Sequence, residues 1–268
     1  MPPALRRNRC FDTMRLAPGA AGVGLIACDT VGSTNEEALR RARTGEAGPL
    51  WITARAQTAG RGRRGRVWVS EPGNLFATLL LTDPAPPERA AQLSFVAALA
   101  VHDAIVARAP SLAARLALKW PNDVLCDGAK VAGILIEAEG TRPLIVAIGI
   151  GVNCRHHPPA TDHPATDLAT AGAAAPTEAL FEALSGAMAR WLAEWQAGFA
   201  AIRAAWLACA GTLGGELQVR LGTRALVGRF ESLDEAGRLV LRLPDGRRET
   251  IAAGEVFPVA PGASGVGR

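Results

Sequence analysis

The chain has 268 residues, of which 49% are hydrophobic. It is long enough to bury a large core and carry a small companion domain, and too apolar to be disordered over its bulk. A net charge of +4, from 29 basic and 25 acidic residues, is too small an excess for a nucleic-acid coat and points to charge focused at one place.

Residues 1–20 read as a loose leader. The stretch "LIAC", Leu25 to Cys28, has the form of a lipoprotein cleavage box. Asp12, Arg15, Pro18 and several glycines interrupt the clean apolar run that an export signal needs. The stretch "VGLIACD" is therefore expected to be the first strand. No stretch reads as both long and apolar enough to cross a membrane. Cys10, Cys28, Cys126, Cys154 and Cys209 are odd in number, far apart and without a C-x-x-C pair. That pattern argues against a disulfide framework or a structural zinc site and fits a reducing cytoplasm.

Next comes "GSTNEEALRRA". Ser33 and Thr34 precede Glu36 and Glu37 in a doubled capping-box pattern, so a helix is expected from about Asn35. "PLWITARAQ" and "NLFATLLLT" read as strands on either side of a glycine- and arginine-rich loop. The segment from Glu88 to Ala109 has apolar residues at helical spacing, including Leu93, Val96, Ala100, Val101 and Ile105, and is expected to be a long core helix. "RLALKW" is a short strand entering the turn "PND", and "CDGAK" is a hairpin turn of the Asp-Gly kind. "KVAGILIEAE" and "LIVAIGIGVNC" are strong strands, "RHHPPATDHPATD" is a polar loop, and two helices follow. From about Gly211 the texture changes to four short strands with Gly and Asp turns, the pattern of a small SH3-like barrel. The expected division is a leader over 1–20, a catalytic domain over 21–211 and the small domain over 212–268.

The loop from Gly60 to Arg66 packs Arg61, Arg63, Arg64 and Arg66 among three glycines. Gly60, Gly62 and Gly65 satisfy G-x-G-x-x-G, but a dinucleotide fold needs a helix after the loop, and a strand follows here. A kinase lid is excluded because V-A-I-K, H-R-D and D-F-G are all missing. An arginine-rich RNA-binding segment remains open, although Trp68 is its only aromatic neighbour. So does a plain exposed hairpin.

Taken with the rest of the chain, "GRGRRGRVW", "KWPND" (Lys119 to Asp123), "KVAGILIE" (Lys130 to Glu137), "GIGVN" (Gly149 to Asn153) and the early "GSTN" resemble biotin protein ligases in kind and in order. The resemblance covers about residues 25 to 260. It implies an α+β fold: a catalytic domain like that of class II tRNA synthetases, with a mixed sheet and flanking helices, plus the small C-terminal SH3-like β-barrel. Members that also repress transcription carry an N-terminal winged helix. The stretch before Val23 has no room for one, so the resemblance is to the monofunctional form, without specific DNA binding.

The implied chemistry has two steps. The carboxylate of biotin attacks the α-phosphorus of MgATP, and a lysine of a biotin carboxyl carrier domain, of an acyl-CoA or pyruvate carboxylase, then takes the acyl group. A carboxylate about 4 Å from a phosphate charge is repelled by roughly 4 kcal/mol at an effective dielectric near 20. Fixed arginines offset that, since their planar forks pair both anions and stay charged. Four arginines in one loop also repel each other, so the loop is expected to order around an anionic ligand.

The resemblance assigns biotin to Ser33, Thr34, Asn35, Gln57, Gly60, Arg61, Gly62, Arg63, Trp68, Lys130, Gly133 and Ile134. It assigns ATP to Arg64, Arg66, Lys119, Asn122, Asp123, Lys130 and Asn153. Lys130, Arg61 and Asp123 are the implied catalytic residues, with Mg²⁺ arriving on ATP and Asn122 and Asp123 fitting a role toward the Mg²⁺ or the nucleotide. Bland readings stay open: Ser33 and Thr34 as helix caps, Trp68 as a hairpin aromatic, Lys130 as a turn lysine. His156, His157, Asp162 and His163 match no zinc spacing and read as a solvated loop. A lipoate ligase is the nearest alternative, but the triple glycine expected after its double arginine is missing. A monomer or weak homodimer, free in the cytoplasm and off the membrane, is expected.

Overall fold

The computed structural model describes residues 10–11 (backbone only), 23–159, 164–173 and 175–259. Among the described residues, thirteen strands and four α-helices run in the order β1 (Cys10–Phe11), β2 (Gly24–Val31), α1 (Thr34–Arg43), β3 (Leu50–Gln57), β4 (Leu75–Thr82), α2 (Leu93–Arg108), β5 (Leu116–Lys119), β6 (Asp123–Cys126), β7 (Ala129–Glu139), β8 (Ile145–Val152), α3 (Thr177–Ala197), α4 (Phe199–Ala208), β9 (Glu216–Leu221), β10 (Arg224–Leu233), β11 (Leu239–Arg242), β12 (Arg248–Ile251) and β13 (Glu255–Pro258).

The first eight strands form one sheet in the order β1-β2-β3-β4-β8-β7-β6-β5. Only β2 and β3 pair in parallel, because α1 lies between them in sequence and carries the chain back across the sheet. The central strands β4 and β8 are buried on both faces and read as nearly unbroken apolar runs. On one face α2, α3 and α4 cover the main core, in which Trp51, Trp195 and Trp206 are almost fully buried. On the other, Ala38 and Leu39 of α1 close a smaller core against Ile26, Ile52, Leu80 and Ala147. The fold is the expected α+β arrangement.

Several local expectations are corrected. Pro87–Arg108 does have the length and mean hydropathy, 1.6, of a membrane span, but 72% of that window is buried inside the protein. Its hydrophobicity serves the core on all sides. Cys10–Phe11, within the expected leader, pair with Ala27 and Cys28 at the sheet edge; the remaining residues of 1–20 lie outside the described residues. The capping-box bonds do not form: Ser33 sits at the N-cap position of α1 without a side-chain bond to the helix. The Asp127–Gly128 turn has φ of 50° and 78°, the left-handed pair that a tight hairpin requires.

The C-terminal strands form a second, antiparallel sheet in the order β12-β11-β10-β9-β13. It has five strands rather than four, and β12 and β13 remain its two edges, so the expected SH3-like barrel is not closed by strand pairing. β13 escapes a sequence reading because it is four residues long and ends at Pro258. The sheet is fastened to the first domain at buried polar points. The Trp120 indole N–H donates to Gly237 O at 3.0 Å, and Gln92 Nε2 donates to Glu235 O at 3.3 Å.

Two consequences are measurable. Trp120→Phe removes the donor and leaves the Gly237 carbonyl buried without its partner, so chemical unfolding is expected to show a loss of about 2 kcal/mol; a change below about 0.5 kcal/mol would contradict this fastening. Hydrogen bonds from Arg248 and Arg242 hold Glu231 down to about 2 from its ordinary 4.5. A depressed carboxylate stabilises the fold above its unfolded value and loses that contribution as pH falls through the folded one. Acid titration of Glu231→Gln is therefore expected to show a shallower decline in stability between pH about 4.5 and about 2 than the native chain shows.

Candidate active site

A cavity of about 400 Å³ opens where the two sheets meet. Its floor is β7 and β8, its near wall the start of α1 and the end of β3, and its roof the arginine hairpin. The far wall is the β5–β6 turn together with Gly254, Glu255 and Val256 of the second sheet. Of the residues assigned from the sequence, all but Gly60 line it. Gly60 sits at the base of the hairpin, where its carbonyl accepts from the Trp68 N–H at 3.0 Å.

The near wall is a polar network built on buried side chains. Gln57 Oε1 accepts from the Thr34 backbone N–H at 2.8 Å and from the Thr34 hydroxyl at 3.1 Å. Gln57 Nε2 donates to Ser70 Oγ at 2.9 Å. The fully buried Thr78 hydroxyl lies 2.8 Å from Thr34 Oγ1 and 2.7 Å from Asn35 Oδ1, and its one proton serves either. Asn35 Nδ2 in turn donates to Glu137 Oε2 at 2.8 Å. The hydroxyls and amides that a cap would have consumed are thus held at the cavity wall.

Glu137 carries this network into the roof. Arg61 bonds it through Nε and Nη2 at 3.1 to 3.3 Å. Further along the hairpin, Arg63 Nη1 donates to Asn122 Oδ1 at 3.2 Å. Burial, and then repulsion from Arg64 and Arg66, lower the pKa of Arg63. Arg64 and Arg66 both pair with Glu255, the first at 3.6 Å. The loop that was expected to repel itself is therefore pinned by carboxylates from two different sheets.

On the floor, Lys130 Nζ lies 2.5 Å from Asp123 Oδ1 and 5.3 Å from the centre of the Trp68 ring. Trp68 lies flat against glycines: a Cβ on Gly151 would come within 2.6 Å of the indole, and one on Gly133 within 3.0 Å. The Trp68 Nε1 is buried and has no hydrogen-bond partner among the described residues, so it can donate to an acceptor placed beside it. Lys119 is 7% exposed; burial, and then Lys130 and Arg66, lower its pKa while Asp123 opposes them. Asn122 Nδ2 donates to Ile134 O at 2.7 Å, and Asn153 Nδ2 donates to Thr166 O at 3.0 Å. Donors and cations thus line one partly open cavity, an arrangement suited to an anion.

The histidine loop stays out of this chemistry. His157 Nδ1 lies 2.5 Å from Asp167 Oδ2, and the His156 N–H is held by Asn74. Asp162 and His163 lie outside the described residues. Among those described, no cluster of three His, Cys, Asp or Glu side chains forms a metal site.

Glu137, Thr78, Gly149, Gly151 and Glu255, on which the wall and roof of the cavity depend, were not singled out from the sequence. Glu137 closes the "KVAGILIE" motif, and Gly149 and Gly151 alternate within "GIGVN", so each had a signal. Thr78 is one polar residue in an apolar strand. Glu255 had none, since only folding brings it to the loop.

The chain is similar to known proteins across most of its length. The model of the Biotin/lipoate A/B protein ligase family matches residues 29–153, and that of the Biotin protein ligase C terminal domain matches 212–257. The biotin--[acetyl-CoA-carboxylase] ligase of Paracoccus denitrificans is 49% identical over 235 residues, 84% of this chain and 96% of that one. Among solved structures, the biotin protein ligase of Aquifex aeolicus in complex with biotin and ATP superposes with a TM-score of 0.73 at 28% identity, covering 88% of this chain and 98% of that one. The biotin protein ligase of Leishmania major in complex with biotinyl-5-AMP has a TM-score of 0.62 at 28% identity, covering 87% of this chain and all of the other.

The near wall depends on one close approach. A Cβ on Gly149 would lie 2.3 Å from Asn35 Oδ1. Gly149→Ala is expected to push Asn35 off Thr78 and Glu137, costing about 1–3 kcal/mol of stability in a denaturant melt; native stability in this variant would show that the network is not held through Asn35.

Proposed function

Because the chain belongs to the biotin protein ligase family, we propose that this cavity is where it joins biotin to ATP and then hands biotin on. The enzyme activates biotin as biotinyl-5′-AMP at the expense of ATP and transfers the biotinyl group to a lysine of a carboxylase's biotin carrier. In the first step the biotin carboxylate attacks the α-phosphorus and pyrophosphate departs. In the second a lysine amine attacks the acyl carbon and AMP departs.

The residue roles are our reading of the geometry. Ser33, Thr34, Gln57 and the backbone from Arg61 to Arg63 form a wall of short donors and acceptors suited to the neutral ureido ring. Asn35 sets that wall rather than reaching past it. Trp68, Gly133 and Ile134 flank the acyl chain. Lys130 stands between carboxylate and α-phosphate, where its charge counts most in the transition state. Asp123, paired to Lys130, orients it and becomes free to receive the incoming lysine amine. Arg64, Arg66, Lys119 and Asn122 take the triphosphate with its Mg²⁺, and Asn153 takes the adenine edge. The single observation behind this reading is that Lys130–Asp123, the arginine hairpin and the Ser33–Thr34–Gln57 wall converge on one cavity. An RNA-binding module is not favoured, because Arg61, Arg63, Arg64 and Arg66 turn inward onto Glu137, Asn122 and Glu255.

The carrier we infer is that of an acyl-CoA carboxylase, and the working form a monomer or weak homodimer without specific DNA binding. We place the catalytic domain up to residue 211 and the second domain after it, supported by the separate sheet that starts at Glu216. The unpaired thiols of Cys126, Cys154 and Cys209 suit the cytoplasm.

Incubation with MgATP, biotin and an isolated carrier domain is expected to raise the carrier's mass by one biotinyl group. An unchanged carrier, with the protein folded, would overturn the reading. Lys130→Ala is expected to slow biotin-dependent pyrophosphate release by about 10²–10³-fold, the loss seen when one transition-state donor is removed. A change within about threefold, roughly 0.7 kcal/mol of barrier, would return Lys130 to an ordinary turn lysine.

A further inference from the structure

Glu255 is the one acidic side chain that the second sheet contributes to the cavity wall. It is held between cations: Arg66 pairs with it directly, Arg64 stands 3.6 Å away, and Arg220 is its cross-strand partner in β9. Its side chain is 18% exposed, whereas those of Arg64 and Arg66 are 44% and 51% exposed. The arginines reach in from solvent to a fixed carboxylate, not the reverse. Two residues on, Phe257 packs under the Arg220 guanidinium at 4.2 Å and lies 5.9 Å from Lys119 Nζ. Glu255 is thus anchored in a strand whose next side chain on the same face lies within cation–π range of Lys119 in the cavity wall.

We propose that Glu255 occupies the seat of the ATP polyphosphate: its carboxylate holds Arg64 and Arg66 when nucleotide is absent, is exchanged for phosphate oxygens when ATP binds, and recaptures the arginines as pyrophosphate leaves. This rests on the assignment of Arg64 and Arg66 to the triphosphate. The physical argument is a competition between anions. Two guanidinium groups serve either the carboxylate or the phosphates, and an uncompensated carboxylate beside a triphosphate repels it. Glu255 therefore weakens ATP and pyrophosphate binding together. Its use is in turnover: after the α-phosphorus–oxygen bond to pyrophosphate breaks, the returning carboxylate helps expel that product and leaves the hairpin pinned over the adenylate. It also makes the second sheet a participant in each cycle, because the exchanging group belongs to β13. Glu137, by contrast, holds Arg61 at the biotin end and is not part of the exchange.

The test is biotin-dependent ATP–pyrophosphate exchange with the full chain and with Glu255→Gln, which keeps the shape and removes the charge. The variant is expected to show a KM for ATP at least threefold lower, pyrophosphate inhibition at a correspondingly lower concentration, and an unaltered KM for biotin. In an Arg66→Gln background the effect of Glu255→Gln is expected to be mostly lost, since the competition runs through that arginine. Glu255→Asp keeps the charge at shorter reach and is expected to fall between native and Gln; it decides the matter if the Gln variant does not fold. A KM for ATP that stays put or rises, or an effect equally large without Arg66, would overturn the proposal and leave Glu255 a structural fastener. Absence of biotin-dependent exchange in the native chain would instead defeat the ligase reading itself.

Discussion

Four arginines within seven residues repel one another, and the architecture of this protein is arranged around holding them together. The restraint comes from carboxylates on scaffold strands that the loop itself does not contain. Glu137 of β7 takes Arg61, and Glu255 of β13 takes Arg64 and Arg66. Arg63, between them, is settled on the Asn122 side chain instead. Each partner lies on a different element, so the roof keeps its shape only when both sheets are in place. The fastening of the second sheet through Trp120 and Gln92 is therefore a condition for the site as well as for stability.

The large sheet supplies the complementary feature, a floor that side chains and ligand can approach closely. Gly149 and Gly151 remove the Cβ atoms that would meet Asn35 and Trp68. The apolar strands around them are rigid because they are buried on both faces, and a rigid floor keeps reacting groups within a fraction of an ångström of their working positions. The buried Thr78 hydroxyl is tolerated in this core because its proton has an acceptor, Thr34 Oγ1 or Asn35 Oδ1, within 2.8 Å. It transmits the position of β4 to the first turn of α1.

Much of this was legible in the sequence, and the reasons for success and failure differ. The strands and the long helix were readable because β4, β8 and α2 state their burial in unbroken apolar runs. The site was readable because its residues fall in short motifs, so that Lys119, Asn122 and Asp123 are neighbours in the chain as well as in space. Ser33 and Thr34 fitted both a cap and a binding wall. The structure leaves Ser33 without a side-chain bond to the helix and ties the Thr34 N–H and hydroxyl to the Gln57 amide oxygen. Pro87–Arg108 matched a membrane span in length and hydropathy, since a helix buried on all sides and a helix in lipid have the same composition. Glu255 was out of reach altogether, because its meeting with the arginines depends on how β13 pairs with β9, which no local pattern encodes.

The central claim is that one cation-lined cavity both makes the mixed anhydride of biotin and AMP and keeps it. The most direct measurement is native mass spectrometry of the protein after incubation with biotin and MgATP in the absence of any carrier. The account predicts one biotinyl-5′-AMP retained per chain, released as AMP when a carrier domain is added. A chain that consumes no ATP, or that is recovered with intact ATP and biotin bound side by side, would contradict it.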